Sequence, residues 1–287
     1  MTAIYKKEMR AYLTHMMGYV FLAFMVFFIG FGFSFSNVRG MNSNFSMALE
    51  GATIYFFILI PVLTMRLFSE ETRQKTDQLI FTSPLSVLSI VLGKFFAAFS
   101  LFLLAMGITV VMPAMLSHFG ELPLSQIVGT YIGFALIGAA CIAVGVFVSV
   151  LTDNQIIAAV ITIGVVFVMF IMNTVAALMP TTTLASFVFV LLIIAAVVIV
   201  WYNATRKVLA SVILAVVAIA AVIGLYMFNN LIFDGIIVRV LLWFSIVVRF
   251  GNFSRGILNI SDLIYYLSFI ALFLYLTVNV IEKRRWR

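Results

Sequence analysis

Eight long apolar runs, at residues 18–35, 51–65, 88–115, 127–151, 156–179, 184–201, 209–228 and 263–281, leave this chain little choice of fold. About 20 apolar residues are needed to cross about 30 Å of hydrocarbon. Inside lipid, only a helix or a closed barrel satisfies every backbone polar group. The runs are too long for barrel strands, so the sequence predicts an all-α integral membrane protein with about eight transmembrane helices. The second run is short by this measure and is expected to begin nearer Ser46.

Composition agrees. The chain is 65% hydrophobic and only 9% charged, with a mean hydropathy of +1.24, whereas a soluble domain carries about 25% charged residues. No polar stretch is long enough to build its own core, so residues 1–287 read as a single membrane domain without a separate catalytic lobe. The formal charge of +7 does not point to nucleic acid, because the basic residues sit at the ends of apolar runs and not in one patch. Cys141 lies within an apolar run and, being the only cysteine, forms no internal disulfide.

Lysine and arginine set the orientation, since both favour the cytoplasmic side. With the N-terminus inside, the inner segments hold Lys6, Lys7, Arg10, Arg66, Arg73, Lys75, Lys94, Arg206, Lys207, Lys283, Arg284, Arg285 and Arg287, which is 13 of 17. Arg39, Arg239, Arg249 and Arg255 remain outside. Both termini are therefore expected in the cytoplasm.

Residues 1–17 place Ile4, Tyr5, Met9, Tyr12 and Met16 on one helical face, with Lys6, Lys7 and Arg10 away from it. This predicts an interfacial helix against membrane lipid. The run at 18–35 exceeds the 7–15 residues of a secretory h-region and reads as a retained span. Residues 236–248 are apolar but broken by Arg239. Crossing there would place an arginine in hydrocarbon at about 2.5–3.5 kcal/mol and send Lys283 to Arg287 outward. Residues 236–258 are instead expected to dip into the outer leaflet and turn at 250–256, with Arg239, Arg249 and Arg255 at the outer headgroups; a plain surface helix is the competing reading. Residues 152–155 are so few that they predict an antiparallel hairpin. Gly129 and Gly133 form a GxxxG pair that lets another backbone approach the fourth span. Asn173 and Thr174, the main polar residues within a span, are expected to bond to a neighbouring helix.

Residues 66–86, RLFSEETRQKTDQLIFTSPLS, form the long polar interruption between the second and third spans. Ser69 is placed to cap a helix over residues 70–81, with Glu70 and Glu71 in its first turn and Pro84 beyond its end. Glu70 with Arg73, and Glu71 with Lys75, are helical pairs worth about 0.2–0.5 kcal/mol each. Composition alone is satisfied by an ordinary cytoplasmic loop. The order of residues adds more: the SEE pair, a basic residue, a Leu-rich turn and TSPLS resemble the coupling segment of type-2 ABC exporter membrane subunits, and the Gld-type gliding-motility permease in particular. KKEMRAYLTHMMGYVFLAF, SVLTDNQIIAAV and FGNFSRGILNISDLIYYLSFIALFLYLTVNVIEKRRW are similar to the same permeases.

The resemblance implies that residues 66–86 dock in a groove of a cytoplasmic ABC ATPase, through Glu70, Glu71, Arg73, Lys75, Thr76, Leu79, Ile80, Thr82, Ser83 and Pro84. It also implies a second permease, identical or related, and an external re-entrant pair before the last helix. Residues 184–228 depart from it, because they insert two extra spans joined by a basic YNATRKV turn.

Catalytic chemistry has no complete motif. No GxxxxGK[ST] occurs, so ATP and magnesium are expected in the partner and no cofactor or metal in this chain. His15 and His118 fall on opposite predicted sides. The spans hold no buried acids, histidines or charge pairs, which weakens an ion-coupled carrier without removing it. The sequence thus points to a non-catalytic permease subunit of an ATP-driven exporter, with a secondary transporter or a structural membrane anchor as alternatives.

Overall fold

The structure, a computed structural model, describes residues 1–76, 85–118, 122–228 and 233–285. Every regular element among them is helical. Among the described residues eight helices are long and apolar enough to cross a membrane, each overlapping one of the eight runs expected, and a helix pair at residues 236–254, bent by 75°, passes the same test as one broken span or a re-entrant loop. The chain is thus built as a multi-pass membrane protein. Its contacts divide it into two units, residues 1–169 with 246–287, and residues 170–245. The two extra spans fall wholly in the second.

In the first unit, α1 (Thr2–Thr14) meets α2 (Met16–Phe33) at an extended His15. The approach is so close that a Cβ on Gly18 would lie 2.0 Å from the Tyr12 carbonyl oxygen, so only glycine fits there. The apolar face of α1 packs on a protein helix, α6 (Val87–Thr109). Tyr5 Oη donates to Ser100 Oγ at 3.1 Å and Tyr12 Oη to the Leu63 carbonyl at 2.8 Å. Met16, expected on that face, is 80% exposed.

The second span is segmented into α3 (Ser46–Ala52), a 3-10 turn at Thr53–Tyr55, and α4 (Phe56–Thr64), and leads through a short turn to α5 (Ser69–Arg73). It begins at Ser46, as expected. After α6 come α7 (Val111–Leu116) and α8 (Leu124–Leu151). Helix α8 is the hub, touching α3, α4, α5, α6, α13 (Val247–Ser254) and α14 (Ile260–Arg285). Small residues make this possible: a Cβ on Gly138 would lie 2.3 Å from the Phe102 ring, and one on Gly145 2.2 Å from Thr64 Oγ1.

Helix α9 (Gln155–Leu178) follows a turn at residues 152–154, in which Asn154 Oδ1 accepts from Ile156 N at 2.9 Å. The short turn does not pack the two helices along each other. Helix α9 makes few contacts along α8, and Ile156, Ile157, Val160 and Ile161 stand exposed. A tight turn limits separation at one end only; the glycine-bearing faces of α8 are already filled by other helices.

In the second unit, α10 (Thr183–Thr205) and α11 (Val208–Phe228) pack as a hairpin around a left-handed Arg206 (φ +55). Phe187, Tyr226 and Phe233 cluster with ring centroids 4.6–6.0 Å apart. Helix α12 (Ile236–Phe244) starts at Gly235, whose φ of +65 suits glycine.

Candidate functional site

Helix α5 stops at Arg73, far short of the expected helix over residues 70–81. Lys75 adopts a left-handed φ of +56, which an L-residue takes only at a helix end or turn. Leu79, Ile80, Thr82, Ser83 and Pro84 lie outside the described residues; Thr76 follows the turn, its amide bonded to the Glu71 carbonyl at 3.0 Å.

Ser69 does not cap this helix. It sits inside the first turn with its hydroxyl directed back to the Met65 carbonyl. The amides of Phe68 and Ser69 are instead accepted by Ser149 Oγ of α8, at 2.9 and 3.2 Å. A side chain 80 residues away therefore supplies the acceptor expected of a local one, because the N-terminus of α5 abuts the C-terminal turn of α8.

The charges are arranged differently from the pairs expected by spacing. Glu70 pairs with Arg66, Nε to Oε2 at 2.7 Å, and not with Arg73. Glu71 binds no Lys75. One of its oxygens takes Lys7 Nζ at 2.8 Å and the other takes Lys94 Nζ at 2.8 Å. Lys94 also holds Glu8 at 3.0 Å and donates to the Leu67 carbonyl. Its side chain is 1% exposed, against 13% for Glu8 and 14% for Glu71. Three donors thus meet two carboxylates and a carbonyl, which satisfies an ammonium fully removed from solvent. Lys94 Nζ further lies 4.9 Å from the centroid of the Phe68 ring.

This corrects the reading that the spans bury no charge pairs. Lys94 is the eighth residue of α6, about 10 Å along its axis at 1.5 Å per residue, and it is paired across to α1 and α5. Two features of the sequence foreshadow the arrangement. A lone lysine inside an apolar run calls for a partner. Glu8 lies four residues from both Ile4 and Tyr12, and so on the apolar face of α1.

Burial pulls the Lys7 ammonium down, but the hydrogen bond and charge of Glu71, with Glu8 behind it, raise it above the usual lysine value. Burial pushes the Tyr12 phenol up. Beside these groups a cavity of about 380 Å³ is lined by Lys7, Glu8, Arg66, Glu71 and Lys94 among others. Lys6, Arg10, Arg73 and Lys75 are exposed.

At the other end of this unit, the backbone that approaches the GxxxG pair is that of α13. A Cβ on Gly129 would lie 2.5 Å from the Phe253 carbonyl oxygen, and one on Gly133 2.6 Å from Phe253 Cβ. Residues 250–254, expected as the turn, are helical; the breaks flank them at an extended Ser245 and at Gly256, φ +77. Neither α12, with nine residues, nor α13, with eight, is long enough to cross hydrocarbon alone. Arg249 stacks on Tyr265 at 3.6 Å and lies 3.8 Å from Asp262, which also accepts from Asn252 at 2.7 Å. Arg239 donates to the Asp234 carbonyl at 2.6 Å, and Arg255 is exposed.

Asn173 and Thr174 lie within α9 with exposed side chains, which make no bond to another helix among the described residues, unlike the helix-to-helix bond expected. No group of three or more His, Cys, Asp or Glu side chains that could hold a metal occurs among the described residues. No family model, curated protein or solved structure matches the chain.

Proposed function

We propose that this chain is the membrane permease subunit of an ATP-driven exporter of the type-2 ABC class, with α5 and the residues after it as the segment on which a cytoplasmic ATPase acts. One chain would be half of a translocation unit, paired with an identical or related permease in a prokaryotic plasma membrane, with both termini cytoplasmic. The resemblance of residues 66–86 to a coupling segment suggests the role.

The clamping of α5 by Lys94, Lys7 and Ser149 is the observation that carries the reading. A force on a loosely tethered loop is lost in the loop. A force on α5 passes through buried ion pairs to α1 and α6 and through a hydrogen bond to α8. The energy of the shift comes from contacts of the ATPase that differ between its nucleotide states.

In sealed vesicles, transport should require ATP and a second, P-loop-bearing chain. Transport by this chain alone, driven by an ion gradient, would defeat the proposal. That outcome belongs to a second reading, an ion-coupled carrier, which the burial of Lys94 between Glu8 and Glu71 favours over a simple anchor.

A further inference from the structure

Resting on the reading above, we infer that α1 and α5 together present a cationic docking face, and that the ATPase surface seated on it is acidic. The face arises by subtraction. Glu8, Glu70 and Glu71 are the acids of these two segments among the described residues, and all three are turned to internal partners: Glu8 to Lys94 at 3.0 Å, Glu70 to Arg66 at 2.7 Å, and Glu71 to both Lys7 and Lys94 at 2.8 Å. Lys6, Arg10, Arg73 and Lys75 remain exposed, with no ion pair among the described residues.

The Lys7–Glu71 bond sets the two segments side by side, so Lys6 and Arg10 on α1, and Arg73 and Lys75 after Glu71, flank a single ion pair. The left-handed turn at Lys75 takes that residue out of helical register with Glu71, so its ammonium does not pair with that carboxylate. A segment that merely met anionic headgroups would need cations alone. Here the backbone is also fixed, by Ser149 at the first amides of α5 and by Lys94 beneath Glu71. Fixed geometry with one sign of exposed charge among the described residues suits a complementary protein surface, where opposite potentials steer docking and set its register.

The full chain, tagged and purified from native membranes in mild detergent, should elute with a P-loop chain and with ATP hydrolysis. That activity should fall about tenfold or more between low and high salt, as expected of exposed charge pairs. Replacing Lys6, Arg10, Arg73 and Lys75 together by Glu should remove it about tenfold or more at low salt, whereas Lys283→Glu should change it less than about twofold. On the unaltered complex, a zero-length carbodiimide should join Lys6 or Lys75 to an Asp or Glu of the ATPase. If the fourfold Glu variant fails to give a monodisperse elution profile, the corresponding Gln set decides in its place.

Equal ATPase recovery from the unaltered and substituted chains, or no Lys6 or Lys75 cross-link, overturns the docking face while leaving the exporter reading standing. No ATPase with the unaltered chain overturns both. Loss of co-purified phosphatidylglycerol with the ATPase retained assigns the four cations to lipid and overturns the proposal.

Discussion

Lys94 is a buried charge held by carboxylates of two other helices. Removing one partner of a buried ion pair leaves an uncompensated charge and costs about 3–5 kcal/mol. Lys94→Met should therefore lower the unfolding temperature of the detergent-solubilised protein sharply, since Glu8 and Glu71 would share only Lys7. Adding Glu8→Gln and Glu71→Gln to it should restore most of the loss, because an apolar and amide set of similar size leaves no buried charge. An unchanged melting curve for Lys94→Met alone would contradict the pairing. Lys7 gives a pH dependence of known sign. Its pKa is raised on folding, so its bond to Glu71 contributes fully below the unfolded lysine value and is lost only as pH rises through the higher folded one. Between pH 7 and 9, substituting Lys7 by Met should shift stability by the same amount throughout; a shift that shrinks already in that window would show that its pKa is not raised.

Among the helices, α5 and α13 each meet α8 at a feature that can be altered separately, Ser149 for α5 and Gly129 for α13. In Ser149→Ala, the amides of Phe68 and Ser69 lose their acceptor, at about 1–2 kcal/mol. Hydrogen exchange of the α5 amides should accelerate accordingly while the α8 amides stay protected. In Gly129→Ala, the new methyl would meet the Phe253 carbonyl, a backbone atom that cannot step aside, so a loss of about 1–3 kcal/mol is expected. Gly164→Ala, with no atom within 4 Å of its Cβ, should be silent or slightly stabilising in the same thermal assay. Equal melting of the two glycine variants would remove α13 from its place against α8.

For the whole molecule the decisive quantity is orientation. Cys141 is buried, so a cysteine introduced at exposed Leu258, between α13 and α14, would be the accessible thiol among the described residues. An impermeant maleimide added outside intact cells should label it, and labelling only after the cytoplasmic side is opened would invert the assignment and with it the coupling scheme. The positions of the long apolar helices were legible in the chain itself, because a run of about 20 apolar side chains is a local property that lipid reads directly. So was the close approach at the GxxxG pair, where a missing Cβ leaves room for another backbone, whereas Arg239, expected to break its run, lies within continuous α12. The partners of Glu70, Glu71 and Ser69 were not legible. Helical spacing offered Arg66 as readily as Arg73 to Glu70 and did not choose between them, while the bonds of Glu71 run to distant Lys7 and Lys94 and the α5 amides turn to Ser149. Such contacts depend on which helices meet, a choice made by the fit of glycine, phenylalanine and threonine along α8. Sequence alone therefore determined that this chain lies across a membrane as a set of helices; only the tertiary structure decided that a lysine inside one of them fastens two others, since burial of a charge selects partners by proximity in space and not along the chain.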